Sequence, residues 1–255
     1  MMKTIGVIAG AGPFAGLDLL KKIFEQTIAD GDADHLNVIG WFASGQLPDR
    51  TGFLLDNSKV NPGHAMAVQT LALEKAGAEL AAIPCNTAHA PLIFDRMHAE
   101  LHEAKSKIQF VNMLQETVAH IRQYHGDLSR IGILSTTGTY RVNLYPLYLE
   151  QAGLQAIAPD EDVQLNLVHP AIYDRLYGIK AAGTGTEKSR ADLSTAVDHL
   201  VKKGAQAVIL GCTELPLAIT EKKKDGIIFL DPTLILARAL IREAAPQKLR
   251  PYQLP

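Results

Sequence analysis

The chain contains two cysteines, and each closes a near copy of the same segment. Residues 75–87 read Lys-Ala-Gly-Ala-Glu-Leu-Ala-Ala-Ile-Pro-Cys-Asn-Thr, and residues 202–214 read Lys-Lys-Gly-Ala-Gln-Ala-Val-Ile-Leu-Gly-Cys-Thr-Glu. Cys85 and Cys212 are separated by 212 − 85 = 127 residues, and Gly77 and Gly204 keep the same offset. A thiol that ionises can act as a base or as a nucleophile. The repeat therefore predicts two equivalent halves that each supply one thiol.

A second pair of segments supports the duplication. Residues 5–13 resemble residues 131–139 at an offset of 131 − 5 = 126, within one residue of the first offset. Self-similarity that occurs only twice indicates a duplicated domain, because a solenoid needs at least three short repeats. We expect a first lobe of residues 1–113 plus 226–255 and a second lobe of residues 114–225.

Short apolar runs alternate with longer segments of helical periodicity along the whole chain. Such alternation predicts an α/β protein whose two lobes each contain a mostly parallel sheet flanked by helices. Ligands of such sheets bind beyond the carboxyl ends of the strands. The predicted strands are Ile5–Ala9, Asn37–Phe42, Leu80–Ile83, Ile108–Val111, Ile131–Leu134, Leu154–Ala158, Ala207–Leu210 and Ile227–Leu230.

Each cysteine directly follows one of these strands and lies at or near the predicted start of a helix. A helix N-terminus stabilises a thiolate, so this location predicts a lowered thiol pKa. Two thiols that act on opposite faces of a carbon can remove a proton from one face and return one to the other. An enzyme with one nucleophilic cysteine needs only one such residue, normally with a histidine as base. The pair therefore favours inversion of a stereocentre without a cofactor.

Two further loops follow equivalent strands and offer donors for a carboxylate. Gly10, Ala11 and Gly12 supply backbone N–H groups, and the second loop adds hydroxyl groups. A nucleotide site in the first loop is disfavoured because Pro13 interrupts the G-x-G-x-x-G pattern and no acidic residue ends the second strand. The second loop consists of Thr136, Thr137, Gly138 and Thr139.

Composition excludes several classes of protein. The chain of 255 residues has a formal net charge of −2, which predicts no nucleic-acid partner. No apolar run approaches the roughly 18 residues that a membrane span needs, and we expect a cytoplasmic protein with reduced cysteines. His89 lies four residues after Cys85, but no matching histidine follows Cys212, so we predict no metal site and assign His89 a supporting role in the loop. Lys222–Lys224, followed by Asp225 and Gly226, indicate a solvated turn.

The chain resembles the aspartate/glutamate racemase family over its full length, and most closely its branch of aspartate racemases and broad-specificity amino-acid racemases. The two cysteine motifs together with the intervening Thr-Thr-Gly-Thr loop are the most specific carriers. The resemblance implies two pseudosymmetric α/β lobes with the active site in the cleft between them, racemisation without pyridoxal phosphate, and a homodimer. The motifs that carry it are Gly6–Pro13, Leu47–Thr51, Pro84–His89, Ser135–Thr139, Ile179–Lys180 and Gly211–Leu215.

The resemblance also implies roles for individual residues. Cys85 and Cys212 correspond to the two acid/base residues, and Arg50 to the arginine that binds the side-chain carboxylate of the substrate. Lys180 corresponds to a lysine near the substrate. The implied site also contains Asn86, Thr87 and Thr213 as donors beside the cysteines. It contains Glu214 as a further substrate-binding residue, which separates this branch from the glutamate racemases.

The first loop departs from the pattern of typical aspartate racemases, because Ala11 and Phe14 replace a methionine and a glutamate. We therefore expect a racemase of small acidic amino acids that favours aspartate and uses no cofactor. Glutamate or a broader range of amino acids remains an alternative substrate. The rival functions are an isomerase of a related dicarboxylate, of the maleate type, and a non-catalytic amino-acid sensor.

Overall fold

The computed structural model describes residues 2–255. The strands are β1 (Ile5–Val7), β2 (Val38–Gly40), β3 (Leu80–Ala82), β4 (Gln109–Phe110), β5 (Arg130–Ser135), β6 (Gln155–Ile157), β7 (Ala207–Gly211), β8 (Lys223–Lys224) and β9 (Ile227–Leu230). The helices are α1 (Pro13–Gln26), α2 (Arg50–Leu55), α3 (Pro62–Lys75), α4 (Pro91–Glu103), α5 (Met113–Tyr124), α6 (Thr137–Arg141), α7 (Leu144–Gln151), α8 (Glu161–Val163), α9 (His169–Tyr173), α10 (Ile179–Ala182), α11 (Glu187–Lys202) and α12 (Pro232–Ala244). A π-helical turn at Gln164–Val168 joins α8 to α9.

The chain divides into two compact units, and the first contains residues up to 116 together with 233–253. Its sheet has the strand order β2-β1-β3-β4, and all neighbouring strands are parallel. The central strands β1 and β3 are buried along their whole length, as parallel strands covered on both faces require. Helix α12 completes this core, where Leu236, Leu240 and Ile241 pack with residues of β1 and β3.

The second unit contains residues 117–232 and 254–255. Its sheet has the order β6-β5-β7-β9-β8, in which only β8 runs antiparallel to its neighbour. Strand β7 is buried throughout, and Val208, Leu210 and Cys212 belong to the same hydrophobic core as Leu193 and Leu200 of α11. The prediction of an α/β protein with two sheets of mainly parallel strands is confirmed.

Every predicted strand has a counterpart, but two features differ from the sequence-based expectation. Residues 226–232 are expected in the first lobe, whereas β9 pairs with β7 in the second sheet and the chain joins the first unit only at Thr233. The apolar pattern of residues 227–230 identifies a strand without specifying its sheet. Strand β8 occupies the predicted solvated turn, where Asp225 and Gly226 have positive φ values of 50° and 84° and close a tight hairpin.

The repeated segments fold alike within their own units. Gly77 follows α3 with φ of 99°, and Gly204 follows α11 with φ of 91°, a left-handed conformation that glycine adopts without strain. Each glycine leads into a buried strand that a cysteine follows, three residues after β3 in the first unit and directly after β7 in the second. The amide after each glycine donates to the carbonyl five residues earlier, at 3.0 Å in both copies: Ala78 to Leu73 and Ala205 to Leu200.

Within residues 2–255, the structure has no helix that combines the length and the apolar character needed to cross a membrane.

Candidate functional site

In the first unit, Cys85 lies in the loop after β3, where its free thiol is partly exposed. The backbone after it forms a single 3-10 turn, Asn86–His89, before α4 begins at Pro91. Asn86 and Thr87, predicted as donors, are both buried in this turn. The helix expected near the thiol is therefore separated from it by a turn.

His89 holds the Cys85 loop in place, as predicted for a supporting residue. Its Nδ1 donates to the Cys85 carbonyl at 3.0 Å, and its Nε2 accepts from the Met113 amide at 3.3 Å. These two contacts require the neutral ring with its proton on Nδ1. Burial lowers the pKa of His89 to about 4, because the charged ring cannot be solvated at 1% exposure. The ring also packs against Phe94 at 4.9 Å between centroids.

The Gly10–Gly12 loop follows β1, which is the neighbour of β3, so this loop and Cys85 lie at the same edge of one sheet. A Cβ on Gly10 would approach the backbone nitrogens of Ala43 and Ser44 to 2.8 Å. Only glycine therefore allows this close contact between the two loops.

Arg50 is the first residue of α2 and lies beside the Gly10–Gly12 loop. Its guanidinium donates to the Pro48 carbonyl at 3.1 Å and to the Ala11 carbonyl. Asp49 caps α2 by accepting from the Gly52 amide at 2.8 Å. The structure thus brings Arg50 next to the predicted glycine loop.

In the second unit, Cys212 directly follows β7 and is only 4% exposed. A 3-10 turn, Leu215–Leu217, begins two residues after Thr213. The Cys212 thiol donates to Oε2 of Glu214 at 3.1 Å. The expectation of a lowered thiol pKa is wrong for Cys212. Burial raises this pKa well above its usual value, and the charge of Glu214 raises it further, whereas Lys180 opposes the increase.

Lys180 and Glu214, both predicted to bind substrate, form an ion pair with each other. Glu214 is 3% exposed, and the Lys180 side chain is 28% exposed. Burial alone would lower the pKa of Lys180, but the charges of Glu214, Cys212 and Tyr173 outweigh it and the pKa rises. The Lys180 ammonium also lies 5.7 Å from the centre of the Tyr173 ring. Lys180 is therefore charged, and its ion pair with Glu214 lies beside the Cys212 thiol.

The Thr136–Thr139 loop follows β5, whose last residue pairs with the last residue of β7. This register places the loop beside Cys212 at one edge of the second sheet. The Thr136 side chain caps α6 by accepting from the Thr139 amide at 3.3 Å. The Thr137 hydroxyl lies 2.9 Å from Nδ1 of His169 and 3.4 Å from the amide nitrogen of Gln164. Gln164 of the π-helical turn and His169, the first residue of α9, thus hold the loop in place.

Tyr145 was not predicted and contacts the segment that carries Cys212. A Cβ on Gly211 would lie 2.8 Å from Cε2 of Tyr145, so the ring covers this glycine directly. Burial raises the pKa of Tyr145 well above its usual value, and the charges of Asp231 and Cys212 act in the same direction. No sequence pattern pointed to Tyr145, Gln164 or His169, because their approach to the site depends on how α7, the π-helical turn and α9 pack.

Within residues 2–255, no group of three or more histidine, cysteine, aspartate or glutamate side chains could hold a metal ion.

Comparison with known proteins identifies the family. Residues 8–240 match the family described as Asp/Glu/hydantoin racemase. The chain belongs to this family. The resemblance inferred from the sequence motifs is confirmed, and family membership supports an amino-acid racemase, which is an isomerase of small amino-acid substrates.

Two solved structures and one relative illustrate the similarity. The aspartate racemase of Picrophilus torridus has a TM-score of 0.78 and 26% identity, covering 95% of this chain and 94% of that one. An aspartate racemase homologue from Pyrococcus horikoshii OT3 has a TM-score of 0.71 and 26% identity, covering 96% of this chain and 100% of that one. The broad-specificity amino-acid racemase RacX of Bacillus subtilis is 23% identical over 241 residues, 93% of this chain and 96% of its own length.

Proposed function

We propose that this protein is an amino-acid racemase that favours aspartate, needs no pyridoxal phosphate and uses Cys85 and Cys212 as its acid/base pair. The observation that carries the proposal is the duplicated placement of the thiols. In each unit, the same order of helix, glycine and buried central strand leads to one free cysteine. Cys85 lies three residues after the end of β3, and Cys212 directly follows β7. Similarity to an aspartate racemase over 95% of the chain supports the choice of substrate.

The proposed reaction moves two protons and no electrons. One cysteine, as thiolate, removes the α-proton of the amino acid and becomes a thiol. The other cysteine, as thiol, delivers its proton to the opposite face of the carbanion and becomes a thiolate. Exchange with solvent then restores the starting form. Donors that surround the α-carboxylate stabilise the charge that develops on it.

The remaining site residues have proposed roles in binding. Arg50 binds the side-chain carboxylate, because a planar guanidinium matches a carboxylate in bidentate geometry. Lys180 contributes positive charge near the substrate. The loops beside the cysteines donate to the α-carboxylate through backbone and side-chain groups: Gly10, Ala11, Gly12, Asn86, Thr87, Thr136, Thr137, Gly138, Thr139 and Thr213.

A broader substrate range is the second candidate function, and one observation favours it. The chain is similar to RacX, named a broad-specificity racemase, over 93% of its length. Phe14, at the start of α1, is 41% exposed and offers an apolar surface where typical aspartate racemases carry glutamate. Glutamate and neutral amino acids therefore belong in the first assay.

The decisive experiment incubates the purified, reduced protein with L-aspartate in D2O without pyridoxal phosphate. D-aspartate that carries deuterium at the α-carbon is the expected product. Cys85→Ala and Cys212→Ala should each reduce racemisation by about 10²–10⁴-fold, the usual contribution of general acid/base groups. A single variant that still exchanges the α-proton of one enantiomer without inversion would support the division of labour between the thiols.

Different outcomes identify the rival functions. Near-normal racemisation by either alanine variant would refute the two-base scheme, provided that circular dichroism shows both variants folded. A covalent adduct with an unsaturated dicarboxylate, detected by mass spectrometry, would indicate the maleate-type isomerase. Binding of an amino acid without any exchange would indicate a sensor.

The homodimer and the cytoplasmic location stay predictions. Sedimentation velocity over a range of protein concentrations tests the first, and fractionation of the source cells tests the second.

A further inference from the structure

The duplicated cysteine segments differ at the second residue after the thiol. Thr87 occupies this position in the first unit, and Glu214 occupies it in the second. Glu214 is 3% exposed, accepts a hydrogen bond from Cys212 and forms an ion pair with Lys180. A carboxylate this deeply buried must act on its immediate neighbours, because water contributes little to its solvation.

We propose that Glu214 is a positioning residue that keeps Cys212 in the thiol form, so that Cys212 is the proton donor and Cys85 the base in the resting enzyme. The inference rests on the proposed racemase function and assigns the two thiols unequal roles in the free enzyme. It also gives Glu214 a different task from the substrate binding that the sequence motif implied.

The contacts of the carboxylate explain this preference. Its Oε2 accepts from the Cys212 thiol at 3.1 Å, and its Oε1 contacts the Lys180 ammonium. The Thr213 hydroxyl lies 3.4 Å from Oε2. A thiolate at Cys212 would place a second negative charge against Glu214 and replace a hydrogen bond by repulsion. Lys180 balances only one of these two charges.

Burial strengthens the effect of the Glu214 and Lys180 charges on the Cys212 thiol. Cys212 is 4% exposed and belongs to the hydrophobic core of the second unit. Charge interactions that water would screen at the surface act over short distances here with little screening. The pKa of Cys212 is accordingly raised, first by burial and next by Glu214.

The proton balance of a turnover follows from this assignment. From the resting form, the Cys85 thiolate takes the α-proton and Cys212 gives its proton to the carbanion. The free enzyme then holds a Cys85 thiol and a Cys212 thiolate, and solvent returns it to the resting form by one proton lost and one gained. Because L and D enantiomers have equal free energies, kcat/KM must be the same in both directions. The unequal protonation of the two cysteines must therefore be measured on the thiols themselves and not from the rates.

The test measures alkylation of the substrate-free, reduced full-length protein by iodoacetamide across a series of pH values. Mass spectrometry quantifies the Cys85 and Cys212 peptides separately, and only the thiolate reacts. Glu214→Gln should move the pH midpoint of Cys212 downwards and increase its alkylation at pH 7.5 about tenfold or more, since tenfold corresponds to one pKa unit. Lys180→Met should move the midpoint upwards and reduce the alkylation about threefold or more.

Opposite shifts separate an electrostatic role from a structural one, because general loosening of the site would raise the reactivity of Cys212 in both variants. Lys188→Met is the matched control. Lys188 forms an ion pair with Asp192 within α11, and its removal should leave both thiols unchanged. The Cys85 peptide is the internal control and should change by less than about twofold in all variants. Glu214→Asp keeps the carboxylate and should restore part of the wild-type midpoint.

If Glu214→Gln fails to fold, a second measurement decides the question. The infrared S–H stretching band of Cys85→Ala reports Cys212 alone, and we expect a hydrogen-bonded thiol that persists at pH 8. An absent band, unchanged midpoints or shifts of equal sign in the two variants would overturn the inference. None of these measurements requires catalysis, so they test the role of Glu214 separately from the racemisation assay in D2O. Failure of that assay would refute only the proposed function.

Discussion

Acidification should destabilise the protein through His89, the buried histidine that holds the Cys85 loop. The neutral ring donates to the Cys85 carbonyl and accepts from the Met113 amide. Protonation would place a second ring N–H against the Met113 N–H, so that two donors face each other in a site without water access. Burial accordingly lowers the pKa of His89 in the folded chain to about 4.

The magnitude follows from the difference between the folded and unfolded pKa. An unfolded histidine titrates near 6.5, and the pKa of folded His89 is lowered to about 4. Between these values the unfolded chain binds a proton that the folded chain does not bind, so the free energy of unfolding decreases as the pH falls. The loss begins near pH 6.5, is complete below pH 4 and amounts to about 3 kcal/mol, of which about 2 kcal/mol appears by pH 5.

Urea denaturation at pH 7.5 and at pH 5.0 measures this loss. Between the two pH values, wild type should lose about 2 kcal/mol more stability than His89→Gln, whose side chain does not titrate. The remaining buried histidines contribute equally to both proteins and cancel in the difference. His102→Gln, at an exposed position of α4, is the control and should lose as much as wild type. Equal losses in wild type and His89→Gln would refute the buried neutral state of His89.

Two further predictions concern the backbone and the substrate. Gly77→Ala should lower the free energy of unfolding by about 1–2 kcal/mol through backbone strain, because φ is 99° and no atom lies near the added methyl group. Gly31→Ala, at an extended and open position, should change it little. Thermal denaturation compares the two variants, and equal midpoints would contradict the strain argument. Arg50→Lys should raise KM for aspartate about tenfold or more, because the bidentate pair with the substrate carboxylate is lost. Arg96→Lys, at an exposed position, should leave KM unchanged. Initial rates measure both values, and an unchanged KM in Arg50→Lys would exclude Arg50 from the proposed carboxylate site.

The alternating strands and helices were predictable because their signals are local. Buried parallel strands such as β1, β3, β5 and β7 are short apolar runs bounded by glycine, proline or small polar residues, and each follows from that pattern. The loops of the candidate site were predictable for the same reason, since they follow strands that the pattern identifies. The repeated glycines made the prediction stronger, because the same left-handed turn is needed before both cysteines.

The charge state of Cys212 was not predictable from local signals. A thiol after a strand and near a helix suggests a lowered pKa, but Lys180 and Glu214 come together from 34 residues apart and place a carboxylate against the sulfur. Tyr145 contacts Gly211 from a position that is also distant in sequence. The sequence also did not specify the sheet to which β9 belongs, because an apolar run of four residues can pair with either sheet.

The internal sequence repeat accounts for the similar position of the two cysteines after a buried strand, and residues that differ between the two copies give the thiols different neighbours. At the offset of 127 residues, Thr87 corresponds to Glu214, and His89 corresponds to Pro216. The first unit thus fixes its cysteine loop with a neutral imidazole, whereas the second places a paired carboxylate on the sulfur itself. A two-base racemase needs one thiol charged and the other protonated at the same time. In the proposed two-base scheme, the unequal neighbours in these equivalent loops supply that difference before substrate binds.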